Sequence, residues 1–321
     1  MIRRIATTGL LLVLFPVSAW AAIWYVDAAA PGQGDGSAEA PFISVHDATD
    51  VALSGDTIFI GPGIYQATRR IEVYGQLRRT LLNVPPGVHV MGSGREETIL
   101  QAPETSGPLI FGITSENADR ATTVEDLRVA GPCFQGVNLR SASPTLRRID
   151  VMIVQFGTST TAVDVRDGSD PLCVDLLIDG GHSGLFVEFG SLGRFEDCVI
   201  RWHPNEALAF SNADPTLIRC RIEGAGRDLL VLNQGSQPRL VNCILGRGDR
   251  WTVRIAGGYS LAGSLDLGGN QWFTTDLDQL EAATLDANDD PSLKIRVNFL
   301  PLADTVSTTT RSVSEWKGSW R

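Results

Sequence analysis

The stretch "PTLIRCRIEGAGRDLLVLNQGSQPRLVNCIL", Pro215–Leu245, says nearly the same thing twice. Leu217, Cys220 and Ile222 stand two, five and seven places after Pro215, and Leu240, Cys243 and Leu245 stand at the same offsets after Pro238. The pattern extends backwards through anchors at Gly193, Pro171, Pro144 and Thr122, with steps of 22, 27, 22, 22 and 23 residues along the chain. Offset two then holds Val124, Leu146, Cys173, Phe195, Leu217 and Leu240. Offset five holds Leu127, Ile149, Leu176, Cys198, Cys220 and Cys243, and offset seven holds Val129, Val151, Ile178, Ile200, Ile222 and Leu245. A second short segment precedes each later anchor: "VNLR" at Val137, "VDVR" at Val163, "LFVE" at Leu185, "LAFS" at Leu208 and "LVLN" at Leu230. Its first and third members are always apolar, the period-two signature of a strand with one buried face.

Two strands and their turns leave no room in such a repeat for a helix of ten residues, which argues against a doubly wound α/β fold. A fixed period instead predicts coils that stack, each rising by about one strand spacing of ~4.8 Å, so that equivalent side chains lie over one another. A single coil cannot bury its own apolar face, and its neighbours must do so. The fold class predicted is all-β, a parallel β-helix. The 33 glycines and 16 prolines suit its many turns.

Outside the repeat, the first 21 residues carry Arg3 and Arg4, then "LLLVLF", then Ala19-Trp20-Ala21. This reads as a signal peptide cleaved after Ala21, and the apolar run is short for a membrane span. We therefore expect an exported protein, secreted or periplasmic, with no stable membrane span after cleavage. The expected organisation is a signal peptide at 1–21, a β-helix domain at 22–272, and a C-terminal extension with a polar tail at 273–321. The net charge of -10 argues against a nucleic-acid partner. "GSGRE" at Gly92 has too few glycines and no lysine for a nucleotide phosphate loop. Five cysteines cannot all pair within one chain, and no C-x-x-C spacing marks a metal site. Cys198, Cys220 and Cys243 fit the repeat lattice and read as buried rungs, with a Cys198–Cys220 disulfide as the alternative.

The mature chain opens with Tyr25-Val26-Asp27, a Gly/Asp-rich loop at Gly32–Ser37, and Pro41-Phe42. A helical stretch near Ser44–Val51 follows, then Gly55-Asp56-Thr57-Ile58 leading to Pro62-Gly63 and Tyr65. These pieces resemble the opening of right-handed parallel β-helix proteins of the pectate-lyase-like superfamily. The resemblance implies that the short helix caps the open end of the solenoid. It is specific for fold and poorly specific for activity, because the superfamily holds lyases, hydrolases, epimerases and structural proteins.

Outward positions follow from the strand alternation. Asp164, Arg166 and Glu188 share an outward face on adjacent coils, with Asn138 and Arg140 one coil earlier. As catalytic groups, Arg166 would withdraw a proton beside a uronic-acid carboxylate, while Asp164 and Glu188 hold calcium or move protons. The resemblance to polysaccharide lyases implies this arrangement and makes calcium the cofactor to consider, with Asp167 and Asp170 as further ligands. Alternatively the same residues are a solvated charge ladder, Arg140–Asp164 and Arg166–Glu188. The hydrolase motifs G-H-G, N-T-D and R-I-K are absent from the sequence, as are the lyase patterns W-x-D-H and v-x-R-x-P-x-x-R. His182, in the "GGHSG" loop after an insertion at Gly157, and Trp202 and His203 at a turn are the candidate carbohydrate-binding residues. Three functions remain open: a polysaccharide or cell-envelope glycan binder, an acidic-glycan lyase or hydrolase, and a structural surface protein.

Overall fold

The computed structural model describes residues 21–73, 75–104, 109–154, 157 and 159–303. The expected signal peptide, apart from Ala21, and residues 304–321 of the expected tail lie outside the described residues, as does part of the insertion near Gly157.

The columns read from the sequence are columns in space. Val124, Leu146, Cys173, Phe195, Leu217 and Leu240 pair in unbroken parallel register. Val129, Val151, Ile178, Ile200, Ile222 and Leu245 do the same, and Trp272 closes that column. Together they form a 16-stranded sheet, here called the first sheet. The "VNLR"-type segments build a 10-stranded second sheet. Its inward column runs Val137, Val163, Leu185, Leu208, Leu230 and Val253. The inward columns of both sheets, all buried, belong to one apolar core. Burying a leucine or isoleucine side chain contributes roughly 1.5–3 kcal/mol, and each coil supplies several.

Residue type at the corners follows backbone need. Asp126, Arg148, Asp175, Asp197, Arg219 and Asn242 bend the first sheet with φ between 50° and 60°. Asp and Asn tolerate that left-handed conformation better than most residues. The arginines at this corner clamp carboxylates one coil away: Arg148 reaches Asp126 at 2.6 Å and Arg219 reaches Asp197 at 2.7 Å.

The ends are closed as a solenoid requires. The N-terminal strand Ile23–Val26 lies on Thr57–Ile60, and helix α1, Val45–Val51, packs over this end with Val45 and Ala48 buried. Ser44 caps it, its side chain accepting from His46 N at 3.2 Å. A hairpin that the repeat does not announce, Arg69–Val73 antiparallel to Gln76–Asn83, covers one edge of the second sheet. At the other end helix α2, Leu277–Ala282, lies between two last rungs: Gln271–Trp272 joins the first sheet and Thr284–Leu285 joins the second. Gly263–Asp266 and Ile295–Asn298 form a separate parallel pair beside them.

All five cysteines are free and buried. Cys198 Sγ donates to Glu196 O at 3.3 Å, Cys220 Sγ to Phe195 O at 3.3 Å and Cys243 Sγ to Leu217 O at 3.5 Å. Burial pushes the Cys133 thiol up to about 12. A hydrogen bond with Cys198, followed by burial, does the same for Cys220. Thiolate is the reactive form and all five side chains are closed off from solvent, so the folded protein should resist alkylation at all five cysteines and react at all five in denaturant. Mass spectrometry checks this; a Cys198–Cys220 peptide cross-link in the unreduced protein would contradict it.

Candidate functional site

The outer face of the second sheet gathers the polar residues singled out by the alternation. Asn138 and Asp164 are register partners, as are Asp164 and Phe186, Phe186 and Ala209, and Ala209 and Val231. One row along the strands, Arg140 and Arg166 are partners and Glu188 lies against Ser211. The structure therefore brings Asp164, Arg166 and Glu188 together. Arg166 Nε donates to Asp164 Oδ1 at 2.6 Å, and its terminal nitrogen lies 3.2 Å from Glu188 Oε2.

The surroundings of this trio depart from the sequence expectation. Asp164 is 0% exposed. It sits beneath Arg166 and accepts from Gln135 Nε2, whose own Oε1 accepts from Asn138 Nδ2 at 2.6 Å. An outward strand position predicts direction only; long neighbours that fold over it remove the solvent. The expected Arg140–Asp164 rung is also corrected. Arg140 turns to Glu116 at 3.5 Å and Asp167 at 3.4 Å, which lie in its own row and at the adjoining corner. Desolvation is the main cause that pushes the Asp164 carboxyl up to about 6, against the lowering pull of Arg166.

The carboxylates considered for calcium do not form a cage. Asp164 faces Arg166, Asp167 faces Arg140, and Asp170 pairs with Arg120 at 3.1 Å while accepting from Gly193 N. Among the described residues no group of three or more His, Cys, Asp or Glu side chains is arranged to hold a metal ion.

The three carbohydrate candidates separate. His203 has no exposed surface, and its ring presses on Gly184, where an added Cβ would lie 2.7 Å from Nε2. It is a core residue and cannot touch a sugar. Neither ring nitrogen makes a hydrogen bond of ordinary geometry, and burial lowers its pKa to about 4, a little offset by the Gly180 and Ile178 carbonyls. His182 is half-buried, its N donating to Thr160 O at 3.0 Å. Trp202 is half-buried and takes φ 65° at a corner where Gly180 and Gly224 occupy the neighbouring coils.

One residue of this face escapes a reading of strand positions. Phe189 follows Glu188 and is 53% exposed. It takes φ 56° in a corner column shared with Asn117, Ser141, Asp167, Asn212 and Gln234. The other members are polar, most of them residues that adopt this conformation readily; a bulky aromatic ring there is strained. The Arg166 guanidinium lies over the ring, 5.8 Å from its centroid. Aligning corners as well as strands would have marked Phe189 as the lone aromatic of its column.

Neither a family model nor a curated protein matches this chain. Solved structures do. The pectate lyase Pel9A aligns over 88% of this chain and 78% of its own, at 13% identity and a TM-score of 0.58. A rhamnogalacturonan lyase aligns over 78% of this chain and 72% of its own, at 11% identity and TM-score 0.53. The fold is the pectate-lyase-like right-handed parallel β-helix. An alginate lyase from Paenibacillus sp. str. FPU-7 shares it at 13% identity and TM-score 0.50, covering 72% of this chain and 85% of its own.

Two buried groups of this β-helix oppose each other in pH. Asp164, raised to about 6, keeps a proton that the unfolded chain releases above ~3.9, so its contribution to stability is lost as pH rises from about 4 to about 6. His203, lowered to about 4, refuses a proton that the unfolded chain takes up below ~6.5, so its contribution is lost as pH falls across that range. Asp164→Asn removes only the first. Relative to the variant, the native chain should lose stability as pH rises from about 4 to about 6 in denaturant titrations; a constant difference would contradict the buried placement of Asp164.

Proposed function

We propose that the protein binds a polysaccharide across the outer face of the second sheet. The observation that carries this reading is Phe189: an exposed ring held in a strained backbone conformation beside the Arg166–Glu188 pair. Strain of that kind costs about 1–3 kcal/mol and persists where the surroundings enforce it. Local rules broken without structural gain are a mark of function. An aromatic face offers the apolar C–H side of a sugar ring a flat partner, while Arg166 and Glu188 present a donor and an acceptor for hydroxyls. Phe186, half-buried in the same outer row, packs against the buried Ala209, Val231 and Ala256. The structural neighbours named for pectate, rhamnogalacturonan and alginate favour a glycan partner. In this reading residues 1–21 direct export, and the protein meets its ligand as a secreted or periplasmic protein.

Binding fits the trio better than cleavage. Arg166 is held between two carboxylates, which favours its charged form and suits a holder rather than a base. The lyase or hydrolase reading draws on one observation, the proton that Asp164 retains up to about pH 6. Asp164 would have to emerge from under Arg166 to deliver it.

A panel of neutral and acidic polysaccharides, read by calorimetry and by assays for unsaturated uronide and new reducing ends, tests the function. Binding without product supports a binder; product formation moves the protein to the enzymes. Phe189→Asn separates binding from folding: it should stabilise the protein by about 1 kcal/mol through relief of strain and weaken glycan affinity about tenfold. Loss of stability together with unchanged affinity would contradict the role assigned to the ring.

A further inference from the structure

A second cluster lies at the opposite corner of the same sheet. Asn205 N donates to His182 O at 2.9 Å, Arg227 N to Asn205 O at 3.2 Å and Arg250 N to Arg227 O at 2.7 Å. His182, Asn205, Arg227 and Arg250 therefore form a column along the solenoid axis, with steps of about one strand spacing, ~4.8 Å. Arg227 and Arg250 are thus stacked on successive coils, where like charges repel, as Arg140 and Arg166 are at the other corner.

What holds them is Asp228, which is 0% exposed. Its Oδ1 accepts from Arg250 Nε at 2.9 Å, and its Oδ2 accepts from a terminal nitrogen of Arg250 at 2.7 Å and from Arg254 Nε at 2.6 Å. Those three donors satisfy the buried carboxylate, as burial requires. Arg227 is surplus to that need. Its Nε lies 3.9 Å from Asp228, its side chain is 49% exposed, and a terminal nitrogen donates to Asn205 Oδ1 at 3.4 Å. Arg250 is 43% exposed. The remaining carboxylate, Glu206, accepts from Ser183 Oγ at 3.1 Å and from Asn205 Nδ2, and stands 4.0 Å from Arg254.

Three arginines share two carboxylates, Asp228 and Glu206, within 4.0 Å, while the exposed Asp249 precedes Arg250 in the chain. The trio at the other corner has the opposite balance, two carboxylates to one arginine. Half-exposed guanidinium forks match a carboxylate or sulfate in geometry as well as charge. Trp251 follows Arg250, is half-buried, and stands in register with Asp228, so an aromatic ring is at hand for the sugar that carries the anion.

We infer that Arg227 and Arg250, carried on Asp228 and Arg254, form a recognition site for the anionic group of a glycan, the carboxylate of a uronic acid or a sulfate ester. This rests on the polysaccharide-binding reading of the outer face and adds the charge class of the ligand and the residues that recognise it.

The test is affinity electrophoresis and calorimetry on the full chain with polygalacturonate, dextran sulfate and dextran. The native protein should bind at least one acidic polymer, and added salt should weaken that binding. Response to polygalacturonate alone assigns the site to carboxylates, and response to dextran sulfate alone to sulfates. Arg227→Gln with Arg250→Gln should lower acidic-glycan affinity about tenfold and leave neutral-glycan binding unchanged. Arg148→Gln, on the first sheet, should change neither. If the double variant melts early, Arg227→Gln alone carries the test, because Asp228 keeps its three donors. Native affinity for acidic polymers in these variants, with affinity lost in Phe189→Asn, would overturn this site and leave the glycan reading standing. Failure of the native chain to bind any polysaccharide, acidic or neutral, would remove both.

Discussion

The core of this molecule and the columns on its faces depend on parallel stacking of one coil on the next. A coil has two short apolar strands and no layer of its own to bury them against; only the coils above and below complete its core. Phe195 pairs with Leu217 and Leu185 with Leu208 because the chain returns to the same place after 22 or 23 residues (217 less 195, 208 less 185). The same return places His182, Asn205, Arg227 and Arg250 in one line at one corner, and Ser141, Asp167, Phe189, Asn212 and Gln234 at another. Columns that serve the core are filled with leucine, isoleucine, valine and cysteine. Columns at the corners are free to vary, and there the chemistry collects.

Stacking also governs the electrostatics. A charge repeated in adjacent coils meets its own kind at about one strand spacing, ~4.8 Å. The first sheet relieves this by setting opposite charges on neighbouring coils, as in Asp126 with Arg148 and Asp197 with Arg219, and by pairing Asp175, the neighbour of Asp197, with Arg95. The second sheet collects charge at its two ends. It crowds two carboxylates on Arg166 at one corner and three arginines about Asp228 at the other. In both places a carboxylate with no exposed surface anchors side chains that do reach solvent. In the proposed binding reading Asp164 and Asp228 position the side chains above them, and Arg166, Glu188, Arg227 and Arg250 are the groups that ligand would meet.

Much of this was legible in the sequence because a solenoid turns spacing directly into contact. The offsets of Val124, Leu127 and Val129 from their anchor predict the inward columns, and the helical stretch near Ser44–Val51 predicts α1. The site was legible in part. Alternation placed Asp164, Arg166 and Glu188 on one outer face, yet it carries no information about cover. Gln135 and Arg166, which bury Asp164, act through reach and rotamer rather than period. His203 departs from expectation for the same reason: a residue at a turn reads as surface, while its ring turns inward against Gly184. Phe189 and the Arg227–Arg250 pair lie at corners, where a reading built on strand periodicity has no template. The Arg69–Asn83 hairpin belongs to no repeat and so left no periodic trace.

The most direct test of the stacked-coil account is deletion by length. Removing 193–214 takes out one whole step, so that Cys173 and Leu217 become neighbours in a column that Phe195 formerly bridged. That variant should fold, with a β-rich circular dichroism spectrum and one cooperative thermal transition. Removing only 193–203 takes half a step, turns inward columns outward, and should abolish the transition. Equal tolerance of both deletions, or equal collapse, would contradict the account.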